Sequence, residues 1–65
     1  MTILLNGEKR ETDVRTVADL LREVGATSHG IAVAVNGNVI CREEHATTAV
    51  LGGAEIEIIR AVQGG

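Results

Sequence analysis

The sequence predicts an α+β fold, a mixed sheet of four to five strands with one main helix packed on one face. Three observations carry this. Two Asn-Gly dipeptides, Asn6-Gly7 and Asn36-Gly37, each separate residues of strand character. A single apolar stripe at helical spacing lies between them, and an alternating apolar segment follows the Gly52-Gly53 break near the end. Asn-Gly suits a two-residue hairpin turn because both central residues must take positive φ.

Thr2-Ile3-Leu4-Leu5 enters the first turn, and Glu8 to Val14 leaves it as a mostly polar edge strand. Thr16 then caps a helix of about nine residues. Its hydroxyl is placed at the N-cap and the Asp19 carboxylate three residues on, approximating a capping box. Val17, Leu20, Leu21 and Val24 follow at i, i+3, i+4 and i+7, and Gly25 closes the helix where a left-handed residue is wanted. So short a helix needs a sheet to pack on.

Ile31-Ala32-Val33-Ala34-Val35 is a strand with large residues on one face and alanines on the other. The second turn leads into Asn38-Val39-Ile40-Cys41, and Arg42 to His45 forms a polar connection. Residues 46–51 read as a turn or a short strand. Glu55 to Val62 is the last strand. Two hairpins flanking a helix, with a final apolar strand entering the middle parallel to the first, make the β-grasp arrangement. Residues 1–62 are expected to form this domain and residues 63–65 a flexible C-terminal tail.

The 65 residues include no Phe, Tyr, Trp or Pro, so aliphatic packing must hold the domain together. The expected core is Ile3, Leu5, Val14, Val17, Leu20, Leu21, Val24, Ile31, Val33, Val35, Val39, Val50, Leu51, Ile56 and Ile58. Burial of each contributes about 1.5–3 kcal/mol before entropy is subtracted. The lone Cys41 forms no intrachain disulfide and agrees with a reducing, cytoplasmic setting. No apolar run is long enough to span a membrane. The net charge of −3 comes from scattered charges of both signs, with no basic stripe and no aromatic for base stacking. Nucleic acid and membrane are therefore not expected as partners.

Few residues suggest chemistry. Cys41 and His45 have ligand-like spacing, but His29 is the only other good candidate and a structural zinc site wants four ligands; no metal is expected. Cys41 reads as a small, half-buried strand residue. Ser28-His29 lacks the orienting acid and oxyanion donors of a nucleophilic site and reads as loop. The two Asn-Gly turns precede no helix and are not phosphate cradles. The pairs Glu43-Glu44 and Glu55/Glu57 read as solvated faces, with an acidic surface able to complement a basic partner.

Several segments together resemble the ThiS family of ubiquitin-like sulfur carriers of thiamine biosynthesis. They are Leu5-Asn6-Gly7-Glu8, Thr16-Val17-Ala18-Asp19-Leu20-Leu21, Val33-Ala34-Val35-Asn36-Gly37, Glu55-Ile56-Glu57-Ile58 and the terminal Gly64-Gly65. The resemblance runs through essentially the whole chain in order. Gln63 stands where a third glycine is common, His45 where an aromatic is common, and Ala54 where an acidic residue often follows the glycine turn.

The resemblance implies a protein cosubstrate and not an enzyme, with no tightly bound cofactor. A ThiF-like adenylyltransferase would use ATP and Mg²⁺ to adenylate the Gly65 carboxylate. A sulfur donor protein would convert it to a thiocarboxylate, and a ThiG-like thiazole synthase would receive the sulfur. The alternatives are a MoaD-like carrier for molybdopterin synthesis and a ubiquitin-like interaction or conjugation module. MoaD-like chains are usually longer and contain Phe.

Physics explains a slim tail. Gln63, Gly64 and Gly65 extended beyond Val62 would reach roughly 10 Å, and glycine leaves no Cβ to widen the path into a partner's ATP site. Strand parity proposes the handle. If Ile3 and Leu5 face the helix, then Leu4, Ala32, Ala34, Ile59 and Ala61 fall on the uncovered face as a partner-binding patch. Val62 belongs to the root of the tail, and Arg60, on the other parity, is a candidate charged contact at the rim.

Overall fold

A computed structural model of the chain describes residues 1–26 and 29–60. Its elements are strands β1 (Thr2–Leu5) and β2 (Glu8–Glu11), helix α1 (Val17–Glu23), strands β3 (Ile31–Val35) and β4 (Asn38–Ile40), a 3₁₀ turn (Arg42–Glu44) and strand β5 (Glu55–Arg60). The five strands lie in the order β2-β1-β5-β3-β4. β5 runs parallel to β1 and antiparallel to β3, so the last strand occupies the centre of a mixed sheet as expected for a β-grasp.

Both hairpins turn through left-handed residues. Asn6 and Gly7 have φ of 51° and 83°, and Asn36 and Gly37 have 51° and 85°. Positive φ at both central positions matches the right-handed twist of the flanking strands. Asn tolerates this region because its short polar side chain can bond locally, and Gly because it lacks a Cβ.

Helix α1 starts as its sequence directs. The Thr16 hydroxyl accepts the Asp19 N–H at 3.2 Å from an extended N-cap conformation. The Asp19 carboxylate reaches back to the backbone N–H groups of Arg15 and Thr16. At seven residues the helix is shorter than the expected nine. It ends where Gly25, at φ 75°, lets the Ala26 N–H bond back to the Leu21 carbonyl at 2.8 Å.

The core joins Ile3, Val17, Leu20, Leu21, Val33, Val50, Ala54 and Ile56, with Leu5, Val14, Val24, Ile31, Val35 and Ile58 packed against it. Two expected core residues are exposed instead. Val39 is 74% exposed because its register partner is Ala34, which puts it on the face away from the helix. Leu51 is 70% exposed, lying beside Val50 in the turn before β5, where Val50 takes the inward position.

Two further readings are corrected. β2 stops at Glu11, short of the expected Val14; the Thr12 main chain still exchanges hydrogen bonds with Met1, while its hydroxyl bonds Glu23 at the end of the helix. Cys41 is exposed and not half-buried, since β4 ends at Ile40 and Cys41 precedes the 3₁₀ turn. Residues 46–51 form turns, tied to the helix start by an isolated bridge between Thr16 and Ala49. His45, read as part of a polar connection, is buried, and its carbonyl accepts the Ala18 N–H at 2.9 Å.

Candidate functional site

The site is built on β5. Its inward residues Ile56 and Ile58 anchor it to the core, and its outward residues Glu55, Glu57 and Ile59 face away from the helix. Glu55 and Glu57 are exposed, as expected of a solvated face. Neighbours in register share that face. Leu4 stands opposite Glu55, Ala34 stands between Glu57 and Val39, and Ala32 stands opposite Ile59.

This register separates the proposed patch into two parts. Ala32 and Ile59 are direct partners, with Ile59 55% exposed. Ala34 is buried because its small side chain sits between Val39 and Glu57, so it adds little exposed surface. Leu4 lies on the far side of β5, beyond Glu55. The exposed apolar residues nearest Ile59 are thus its partner Ala32 on β3 and, on β4 in the row of Ala34 and Glu57, Val39, which was expected in the core. The carboxylates of Glu55 and Glu57 border them.

The outgoing end of β5 is the root of the tail. Arg60, exposed, pairs with Ile31 on the helix-side parity, and Gly30, Ile31, Ala32 and Ile59 line a shallow hollow there. Ala61, Val62, Gln63, Gly64 and Gly65, and Ser28 in the earlier loop, lie outside the described residues.

The two turn asparagines do more than turn the chain. The Asn6 N–H donates to the Ile56 carbonyl at 2.9 Å, while the Asn6 Oδ1 accepts the Ile58 N–H at 2.8 Å. The Asn36 N–H donates to the Glu55 carbonyl at 2.7 Å, and the Asn36 Oδ1 accepts the Glu55 N–H at 2.9 Å. Both hairpins therefore grip the central strand from opposite sides. Turn propensity accounts for Asn at both positions, which hid this second role. The available signal was the choice of Asn at both turns, when Gly would also meet the φ requirement.

Among the described residues, no group of three or more His, Cys, Asp or Glu side chains gathers where it could hold a metal ion. His29 and Cys41 are exposed, whereas His45 is buried with its Nδ1 unpaired. Two carboxyls are held below their ordinary range. Asp19 is lowered chiefly by Arg22, and Glu23 chiefly by the Thr12 hydroxyl and then by Arg10. The Asp19–Arg22 pair lies within α1, and Glu23 ties the end of α1 to Arg10 and Thr12 of the first hairpin. No described helix is long and apolar enough to cross a membrane.

Comparison with known proteins gives a consistent result. The model of the ThiS family matches residues 3–65. The sulfur carrier protein ThiS of Thermus thermophilus is 30% identical over 63 residues, covering 97% of this chain and 98% of that protein. A thiazole synthase of Paramagnetospirillum magneticum is 35% identical over 66 residues. The match takes in all of this chain, which spans only 20% of the length of that synthase. The crystal structure of a thiamine biosynthesis protein (ThiS) from Geobacter metallireducens superposes with a TM-score of 0.86 at 29% identity, each chain fully covered. An NMR structure of a thiamine biosynthesis protein from the same organism gives 0.80.

Proposed function

Since the chain belongs to the ThiS family, we propose that it is a sulfur carrier of thiamine biosynthesis whose reactive group is the carboxylate of Gly65. The observation that carries this reading is the central position of β5. The strand leading to Gly64-Gly65 is the central strand of the sheet, with β1 on one side and β3 on the other. The described residues supply no competing reaction centre.

The chemistry follows from the carboxylate. Ionised at neutral pH, it is a poor electrophile. A carboxylate oxygen of Gly65 attacks the α-phosphorus of ATP, pyrophosphate leaves, and an acyl-adenylate forms. A hydrosulfide-level nucleophile then attacks the carbonyl carbon. The C–S bond forms, the C–O bond to phosphate breaks, AMP leaves, and a thiocarboxylate remains. A ThiF-like adenylyltransferase supplies the ATP and Mg²⁺ site, and a sulfur donor protein supplies the sulfur. The globule's part is recognition and presentation.

The likeness to a thiazole synthase supports a ThiG-like enzyme as the acceptor. In that relative, a segment similar to this whole chain is carried within the synthase polypeptide itself. This favours delivery to thiazole synthase over a MoaD-like role. Recognition is assigned to Ile59, Ala32 and Val39 on the open face, bordered by Glu55 and Glu57, with Leu4 and Arg60 at the margins and Ala61 and Val62 as the root.

Deleting Gly65 tests the reading. The truncated chain should keep the circular dichroism spectrum and Tm of the full chain and should no longer release pyrophosphate with the adenylyltransferase and ATP. Unchanged pyrophosphate release would contradict the assignment of the reactive group.

A further inference from the structure

β5 is held unequally along its two sides. On the β3 side, register pairing continues to its last residue, Arg60 opposite Ile31. On the β1 side, register pairing stops at Leu5 opposite Ile56, because β1 turns away at Asn6. The next N–H facing that side belongs to Ile58, and its acceptor is the Asn6 Oδ1 at 2.8 Å. The side chain takes the place the departing main chain vacates. Among the described residues it is the last hydrogen bond on that side before the tail.

We propose that Asn6 is a positioning residue for the tail: its Oδ1, by fixing Ile58, sets the direction in which β5 delivers Gly64-Gly65 to an adenylating site. The inference rests on the carrier reading above. An acyl transfer needs its reacting atoms in near-attack geometry, and a displacement of about 1 Å can cost on the order of 100-fold in rate. A strand free to swing on one side at Ile58 passes that freedom to everything beyond it. The recognition face does not include Asn6, so docking and delivery are separable.

Asn36 provides the internal control. It occupies the same position of the same kind of turn, before Gly37, and its Oδ1 holds the Glu55 N–H at the incoming end of β5. Replacing either Asn by Gly keeps a residue at ease with positive φ and removes only the acceptor. Asn6→Asp keeps both the acceptor and tolerance of the left-handed region.

The experiment measures amide hydrogen exchange in the isolated chain and steady-state pyrophosphate release with ATP and the adenylyltransferase. For Asn6→Gly the Ile58 amide should exchange about 5-fold faster or more, with the Leu20 amide in α1 unchanged. kcat should fall roughly 10-fold while KM stays within about twofold. Asn6→Asp should restore kcat, and Asn36→Gly should keep it near that of the unsubstituted chain. An Asn6→Gly kcat equal to the unsubstituted value overturns the proposal. So does an equal loss in Asn36→Gly, or a loss that Asn6→Asp fails to restore, since either marks general loosening. If the unsubstituted chain itself releases no pyrophosphate, the carrier reading fails first and the proposal falls with it.

Discussion

The Thr12 hydroxyl donates to the Glu23 carboxylate at 2.9 Å, tying the end of the first hairpin to the last residue of α1. Arg10 joins them, its Nε 3.0 Å from Glu23 Oε2. The hydroxyl and, after it, the guanidinium hold the Glu23 carboxyl below its ordinary value of 4.5. A carboxyl lowered in the folded state contributes stability that is fully present above its unfolded pKa. That contribution is lost as pH falls through the lowered value. Urea unfolding between pH 7 and pH 3 should therefore show Glu23→Gln less stable than the unsubstituted chain near neutrality, the gap closing in acid. Thr12→Val should return the Glu23 carboxyl toward 4.5 in an NMR titration. A stability gap independent of pH would contradict this arrangement.

Buried His45 has a different consequence. Its Nδ1 is shut away without a hydrogen-bond partner, and an unsatisfied buried polar atom costs about 1–3 kcal/mol. His45→Leu removes that atom at nearly the same volume. The expected gain is about 1 kcal/mol, or roughly 4–8 °C in Tm for a domain of this size. A thermal melt checks it, and a lowered Tm would mean that the imidazole makes a favourable contact its geometry does not reveal.

Ile59 is the exposed apolar side chain nearest the tail root on the uncovered face. Ile59→Asp should leave Tm almost unchanged, since surface substitutions usually stay within about 0.5 kcal/mol. It should weaken binding to the adenylyltransferase by about 10-fold or more, as expected for an apolar anchor at the centre of an interface. Calorimetry of the two purified proteins measures this. Val39→Asp, two strands away on β4, should have a smaller effect; equal affinities for both variants and the unsubstituted chain would remove the patch from the account.

The features legible in the sequence were those written in local chemistry. Asn-Gly demanded the two hairpins, Thr16 and the 17-20-21-24 stripe demanded the helix, and alternation gave each strand its inward face. The place of β5 beside β1 followed from both having an apolar side to bury. Val39 was misread because hydrophobicity alone cannot say which face a residue takes. Only its pairing with Ala34 decides that. The same limit applied to the candidate patch. Parity placed Leu4 and Ile59 on one face, but the register that puts Glu55 and Glu57 between them is a long-range fact. The grip of Asn6 on Ile58 spans 52 residues, and its one local trace, Asn in place of Gly at the turn, is already accounted for by turn propensity.

The central claim is that Gly65 carries sulfur, and intact mass is its most direct test. The chain would be purified after incubation with the adenylyltransferase, ATP, Mg²⁺ and a sulfur donor, then weighed by mass spectrometry and fragmented. The account predicts the increment of one oxygen replaced by sulfur, confined to the fragment containing Gly65 and absent when ATP is omitted. An unmodified chain under these conditions, or sulfur found on Cys41 instead, would contradict it.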